Sequence, residues 1–439
     1  MNMQKIGLAL GLIWSSATFA ATPFTHWQLP GGTEVWLAET HQLPMLDISV
    51  SFPAGSAFDP ADKPGLASLT QRMLDQGAGG LTDVQIADRL ADTGAQLGME
   101  LDSDRSSVTL RTLSQPAQEQ SALAVMTAVL DQPAFDATVL QREKARLEEA
   151  LKQEDAEPQM MAAFAFQAAV FAGHPYAHRT SGDVADVEKL DAVALRQFWQ
   201  THYTRDHAVI ALVGDVTREQ ANAIAARLVA GLPASAPGTS VVIPPVPQLT
   251  APKLEQISFP SKQSQIFIGQ PGVKRGDPDY YALYVGNYVL GGGGFDSRLM
   301  KDVREKQGLA YSVYSYFMPM QQAGAFEIGL QTRTQETATA LQAVRNILQG
   351  FLQNGVTDVE LTQAKDSIIG GFPLRIDSNR KQLEYLSMIA WYHLPADYLE
   401  EFPRQVARVT AQQIRDAFRR HLDPAHMVTV VVGDAPPLK

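Results

Sequence analysis

The stretch GGGGFDSRLMKDVREKQGLAYSVYSYF, Gly291 to Phe317, is the densest in residues that could do chemistry. Asp296 is placed to cap a helix running through Arg298, Met300, Val303 and Arg304, and Gly308 supplies its stop. From Tyr311 the alternation YSVYSYF predicts a strand. Arg304 then falls in the last helical turn and Tyr311 at the strand entry, so the two can meet at one corner. A permanent cation beside a phenolic donor suits a carbonyl oxygen that gains negative charge. The same pattern fits an arginine on a solvated helix face and a tyrosine in a sheet. On spacing alone that plainer role is the stronger one. Gly291, Gly292, Gly293 and Gly294 lie just upstream. No GK[ST] follows them, and they do not form G-x-G-x-x-G after a strand, which argues against a phosphate loop. A flexible loop that lets a peptide backbone approach is the more natural reading.

A second stretch, GLASLTQRMLDQG, runs from Gly65 to Gly77. Leu66, Leu69, Met73 and Leu74 form a helical apolar stripe. Ser68, Gln71 and Arg72 share the face beside it, but a serine, a glutamine and an arginine make a poor catalytic set. In HPYAH, His174 and His178 stand four apart, a metal-binding spacing on a helix. Pro175 argues against a helix there, so turn and packing roles are preferred. The chain has no cysteine, hence neither disulfides nor thiolate metal sites. No G-x-S-x-G is present either.

The elements that must position these residues are repeated. HYTRDHAVIALVGDV (His202 to Val216) matches HLDPAHMVTVVVGDA (His421 to Ala435), with an offset of 219 from His202 to His421 and from Gly214 to Gly433. PAGSAFDP (Pro53 to Pro60) matches PGVKRGDP (Pro271 to Pro278), with an offset of 218. Each of the latter follows a β-rich run, MLDISVSF or QIFIGQ, and precedes a helical one. Constant offsets at both ends indicate a tandem duplication with copies of ordinary domain size. The stretch 231–252 holds six prolines and no charge, and reads as an extended linker between residues 21–230 and 253–439. Within copy one, SSVTLRTLS alternates as a strand, while FDATVLQREKARLEEALKQED and PQMMAAFAFQAAVFAG are helical. The expected fold is α+β: two homologous domains in a clamshell, each a mostly antiparallel sheet with helices packed on one face.

Residues 1–20 have one early cation, Lys5, an apolar run from Ile6 to Trp14, and small residues before ATPF. That is a signal peptide ending at Ala20. The run is shorter than the ~20 residues a membrane span needs. Removing Lys5 takes the formal charge from −11 to −12, and an acidic chain without a basic block is unsuited to nucleic acid. Export without disulfides fits a bacterial periplasm.

These residues resemble the pitrilysin, insulin-degrading enzyme and mitochondrial processing peptidase family of inverted zinc metallopeptidases, most of all its short two-domain bacterial members, over nearly the whole mature chain. PAGSAFDPADKPGLASLTQRMLDQG follows the first-domain pattern whose helix carries H-x-x-E-H. HPYAHRTSGD and the two VGD endings also fit. LGGGGFDSRLMKDVREKQGLAYSV is the most specific match, and the resemblance makes Arg304 and Tyr311 the pair that holds substrate. The departure lies on the first helix. The two histidine positions fall on Ser68 and Arg72, and the catalytic glutamate on Gln71. Serine is a weak zinc ligand, glutamine takes no proton from water, and guanidinium repels a cation. The third ligand position falls on Glu149, with Glu148 the alternative, and the supporting glutamate on Arg142. The resemblance therefore implies no metal in this chain and no peptidase activity alone. It implies a non-zinc-binding subunit of a periplasmic heterodimer, supplying Arg304 and Tyr311 to a partner that holds zinc and H-x-x-E-H and cleaves peptides. The rival is a catalytically inert peptide-binding or scaffold homologue. A salt bridge from Arg72 to Glu149 or Glu148 is expected to stand in for the metal.

Overall fold

A computed structural model describes residues 24–236 and 242–438. The expected signal peptide, 1–20, lies outside the described residues. The first sheet contains β1 (Phe24–Gln28), β2 (Glu34–Glu39), β3 (Met45–Phe52), β4 (Gln96–Leu101), β5 (Ser106–Leu113) and β6 (Val209–Gly214), in the order β1-β2-β6-β3-β5-β4. The second contains β7 (Lys253–Ile257), β8 (Gln263–Pro271), β9 (Ala310–Phe317), β10 (Ala325–Arg333) and β11 (Val428–Val432), in the order β7-β11-β8-β10-β9. Setting β1 aside, one order maps onto the other strand for strand. β2 runs parallel to β6 as β7 does to β11, and every other neighbouring pair is antiparallel. The chain has the α+β class and the two homologous domains expected of it.

The matched motifs have a shared structural cause. Gly214 and Gly433, at the ends of β6 and β11, adopt φ of +138° and +154°. A Cβ there would lie 2.2 Å from the Met45 carbonyl oxygen and 2.9 Å from that of Gln263, where β3 and β8 begin. Each matched histidine reaches the other matched motif. His202 Nδ1 bonds the Pro53 carbonyl at 2.9 Å, and burial pushes its imidazole down to about 4, so the neutral ring donates. His421 Nε2 lies 3.8 Å from Asp277.

Both sheets are covered on both faces, and one cover on each comes from the other half. Helix Pro158–Val170 of the first half packs on β8 and β11. Its Ala162, Phe166, Ala169 and Val170 share a core with Phe267, Val428, Val430 and Val432. Helix Asn379–Trp391 of the second half packs on β2, β3 and β6. Its Leu386, Ile389 and Ala390 share a core with Trp36, Val209, Ala211 and Val213. Ile210 and Leu212, on the opposite face of β6, join the first half's own helices. Two buried faces explain why VIALVG and VTVVV lack the polar alternation of a half-exposed strand. A fully buried valine contributes roughly 1.5–3 kcal/mol, so this exchange outweighs exposed ion pairs worth about 0–1 kcal/mol each.

A polar contact sets the junction between the halves. In the turn between β4 and β5, Asp104 is 1% exposed. Its Oδ1 accepts from the Tyr176 hydroxyl at 2.5 Å, and its Oδ2 from the Tyr392 hydroxyl and the Gln321 amide, both at 2.8 Å. Burial, reinforced by this carboxylate, pushes both phenols well above their usual range. The next residue, Arg105, donates to the Ser387 carbonyl at 3.1 Å. The linker joins in: the Ile243 carbonyl accepts from Gln322 and the Pro244 carbonyl from His174. Asp104→Ala leaves one buried and two half-buried donor residues without this acceptor, at about 1–3 kcal/mol for a donor that water does not reach. The expected result is a loss of at least about 1 kcal/mol in urea unfolding of the whole chain. An unchanged midpoint would show that the carboxylate does not hold the junction.

Candidate functional site

Arg304 and Tyr311 meet where expected. Arg298 and Leu299 open a helical segment that becomes a π-helix over Met300–Lys306. The cap is one residue later than expected: Ser297, not Asp296, receives the Met300 amide on its hydroxyl, at 3.4 Å. Asp296 instead lies 3.6 Å from Lys301. Gly308, at φ +61°, ends the segment and turns the chain into β9. Arg298 makes a two-pronged bond to Glu360, 2.7 Å on each arm, tying the segment to helix Asp358–Gly371. This guanidinium holds the Glu360 carboxyl at about 2.

The Arg304 guanidinium lies close to two aromatic rings. Its Cζ lies 5.1 Å from the Tyr311 ring centroid and 4.7 Å from that of Phe295. Phe295 and Tyr311 are 61% and 77% exposed, so the pair stands at an open corner. Arg304 makes no ion pair among the described residues. These cation–π contacts use no N–H donor in a salt bridge, so the guanidinium's donors stay available to an acceptor. Phe295 went unnoticed in the sequence, and its only signal there is an aromatic residue directly after the glycine run. The expected flexible loop is largely wound up. Tyr288–Gly292 is a π-helical turn, and a Cβ on Gly291, Gly292 or Gly293 would lie within 3 Å of Ser315, Asn287 or Tyr288. Only Gly294, at φ +60°, faces open space. The two π-helical stretches flank this corner, and such turns recur at functional sites.

The first-domain face is different. Ser68 and Gln71 are buried on helix Leu66–Met73, whereas Arg72 is exposed. Gln71 Nε2 donates to the Glu100 carbonyl at 2.6 Å and to the Ser106 hydroxyl at 2.7 Å, stitching the helix to β4 and β5. Ser68 Oγ lies 3.4 Å from Ser181 Oγ. Glu149 is exposed and accepts from Gln153 at 3.2 Å. The expected salt bridge is absent: among the described residues no carboxylate lies within ion-pair distance of Arg72. A solvated Glu149 leaves no stranded acid, so Arg72 gains nothing by giving up water. The cation that does organise this region is Arg142. It reaches Glu143 at 2.9 Å and both Asp83 and Gln76 at 2.8 Å, while Arg146 caps the same buried Glu143 at 2.7 Å. Zinc does not fit these donors, since the Gln71 amide is turned as a donor and Arg72 carries positive charge. Nor is His174 free to ligate, with Nε2 on the Pro244 carbonyl and Nδ1 accepting from the Tyr176 amide.

Gln71→Glu should destabilise the chain at neutral pH by about 1–3 kcal/mol, because a carboxylate would face the Glu100 carbonyl. That acid's pKa is then raised by folding, so the penalty shrinks as pH falls, a trend read in unfolding curves taken at several pH values. Arg72→Ala should stay within ~0.5 kcal/mol, and a larger loss would reveal a partner. Glu360, depressed to about 2 in the folded chain, adds stability that is lost as pH falls from its unfolded range near 4.5 toward 2. Arg298→Ala should flatten that part of the pH–stability profile, and an unchanged profile would remove Glu360 as its source.

Comparison with known proteins bears on the same two halves. Residues 34–184 match the insulinase (peptidase family M16) model, and residues 189–368 match the peptidase M16 inactive domain. The chain is 25% identical to the non-peptidase homolog YmxG of Helicobacter pylori, over 99% of each protein. It is 26% identical to the uncharacterized zinc protease Mb2805c of Mycobacterium bovis, over 92% of each. The crystal structure of a peptidase M16 inactive domain from Pseudomonas fluorescens superposes with a TM-score of 0.89 at 36% identity, covering 95% of this chain and all of that one. The periplasmic protease PqqL of Escherichia coli shares the fold, with a TM-score of 0.80 at 15% identity, over 95% of this chain and 46% of its own. By sequence along both halves and by fold, the chain belongs to peptidase family M16.

Proposed function

We propose that this chain is the non-zinc-binding subunit of a two-chain periplasmic M16 peptidase, and that Arg304 and Tyr311 act in trans on a peptide bound to its partner. The observation that carries this reading is the contrast between the two halves. Zinc-type donors are replaced on the first helix and Gln71 is committed to the backbone. At the other corner a guanidinium without an ion pair among the described residues stands open beside a tyrosine. The partner would carry H-x-x-E-H and the zinc, whose chemistry is to activate water and polarise the scissile carbonyl. This chain's part is separate. Arg304 offers fixed N–H donors to the peptide carbonyl oxygen as it gains charge, and the Tyr311 hydroxyl adds a further donor. Donors placed in advance stabilise an oxyanion more than water does, because they need not reorganise.

The names of the H. pylori homologue and the P. fluorescens domain support a chain without peptidase activity of its own. The leader-like residues 1–20 and the periplasmic location stated for PqqL support export. No helix among the described residues is long and apolar enough to cross a membrane.

Cleavage of a fluorogenic peptide should require both this chain and an H-x-x-E-H M16 chain from the same genome, each being inactive alone. Arg304→Ala should lower turnover of the mixture by about 100-fold or more while leaving this chain's stability within ~0.5 kcal/mol. Equal activity with and without this chain would overturn the catalytic role. Assembly that persists while the Arg304→Ala, Tyr311→Phe double variant retains full turnover would instead identify a scaffold.

A further inference from the structure

A cleft of about 540 Å³ opens in the second half beside the loop that joins β8 to helix Tyr280–Asn287. Its lining includes neither Arg304 nor Tyr311. Its size lies within the range of small-ligand sites, roughly 300–1,000 Å³. One wall is formed by Tyr280, Tyr281 and Tyr398. Tyr280 and Tyr281 meet edge to face at 5.5 Å, and Phe402 lies 5.8 Å from Tyr281 and 6.0 Å from Tyr398. This ring packing gives the wall a fixed shape. Burial pushes the Tyr281 hydroxyl up to about 12 and the Tyr398 hydroxyl higher still, so both remain neutral hydrogen-bonding groups.

Arg275 lines the same cleft, half-buried, with no ion pair and no side-chain hydrogen bond among the described residues. Its guanidinium carbon lies 5.5 Å from the Tyr392 ring. Charges withdrawn from water are ordinarily paired, so this cation lacks the partner its position calls for. An adjoining cleft of about 320 Å³ shares Arg275, Tyr280 and Tyr398 and adds Arg375. Acidic groups also line the larger cleft: Asp277, Asp397 and Glu401. Asp397 is exposed and has no ion pair among the described residues, whereas Glu401 is engaged by Arg404 at 2.6 Å. The nearby Asp277–Asp279–His421 group is not a rival metal site, because Arg420 occupies both Asp279 oxygens at 2.9 and 2.7 Å.

An unpaired cation, a free carboxylate and a tyrosine wall in one cleft are complementary to a small ligand with both charges and an apolar body. We propose that this cleft binds a zwitterion of the α-amino-acid type with an aromatic side chain, its carboxylate toward Arg275, its ammonium toward Asp397 and its side chain on the tyrosine wall. A free amino acid and a dipeptide carry the same chemistry, and the test separates them. Isothermal titration of the full mature chain with L-phenylalanine and with Ala-Phe should show binding of at least one. Binding of the dipeptide alone identifies a peptide end as the ligand, and binding of both identifies the amino acid. Phenylalanine amide and N-acetylphenylalanine (for the dipeptide, its amide and its N-acetyl form) should each bind at least tenfold more weakly. Arg275→Gln, shown folded by circular dichroism, should lose binding to a similar degree, while Arg304→Ala should leave it unchanged. No binding of either probe at millimolar concentration would overturn the assignment. So would equal binding of the amide, or binding unaffected by Arg275→Gln.

Discussion

The buried carboxylate of Asp104 is the contact on which the relation of the two halves depends. Apolar burial supplies most of the energy that holds them together, but it has no direction. A carboxylate with three donors does. Tyr176 comes from the first half and Tyr392 and Gln321 from the second, so their bonds to one group set the halves in a single relative position. The turn that carries Asp104 is itself braced, since Asp102 accepts the amides of Asp104 and Arg105 at 2.8 Å each. The linker meets the junction beside it, where the Ile243 carbonyl accepts from Gln322.

The first-domain helix shows how a fold of this family accommodates residues that do not suit a metal. Among the described residues Arg72 makes no salt bridge on this face. Gln71 is turned inward to a backbone carbonyl and a serine, so that face is stitched to the sheet by neutral hydrogen bonds. Positive charge is placed elsewhere, at Arg142, where acids of two helices converge. The outward Arg72 stays in water. Gln71, Arg142 and Arg72 therefore have three separate physical settings.

Much of the fold was readable in the sequence because its signals are local or repeated. The 219-residue offset, the glycines at 214 and 433 and the alternation of β5 all report backbone geometry that chain neighbours impose. The meeting of Arg304 and Tyr311 was readable for the same reason, because a helix, a glycine stop and a strand entry bring them together in eight residues. What was not readable depends on distant partners. The orientation of Gln71 is set by Glu100 and Ser106, and the solvation of Glu149 by the open surface around its helix. The π-helical winding at 300–306 and the closeness of Phe295 to Arg304 likewise follow from packing that no periodicity encodes. Nor does the spacing of PQMMAAFAFQAAVFAG state that this helix serves the other half's sheet.

That exchange of helices has a consequence for how the chain is made. The face of β6 bearing Val209, Ala211 and Val213 is complete once the first half exists, yet its cover arrives with residues 379–391. During synthesis from the N-terminus, well over a hundred residues must emerge while that apolar sheet surface stands open. Contacts closed over such sequence separations form late, and exposed apolar surface on a waiting intermediate invites association with other chains. The first half therefore carries an uncovered apolar sheet face until residues 379–391 appear. A fragment ending before residue 379 would keep that face open permanently.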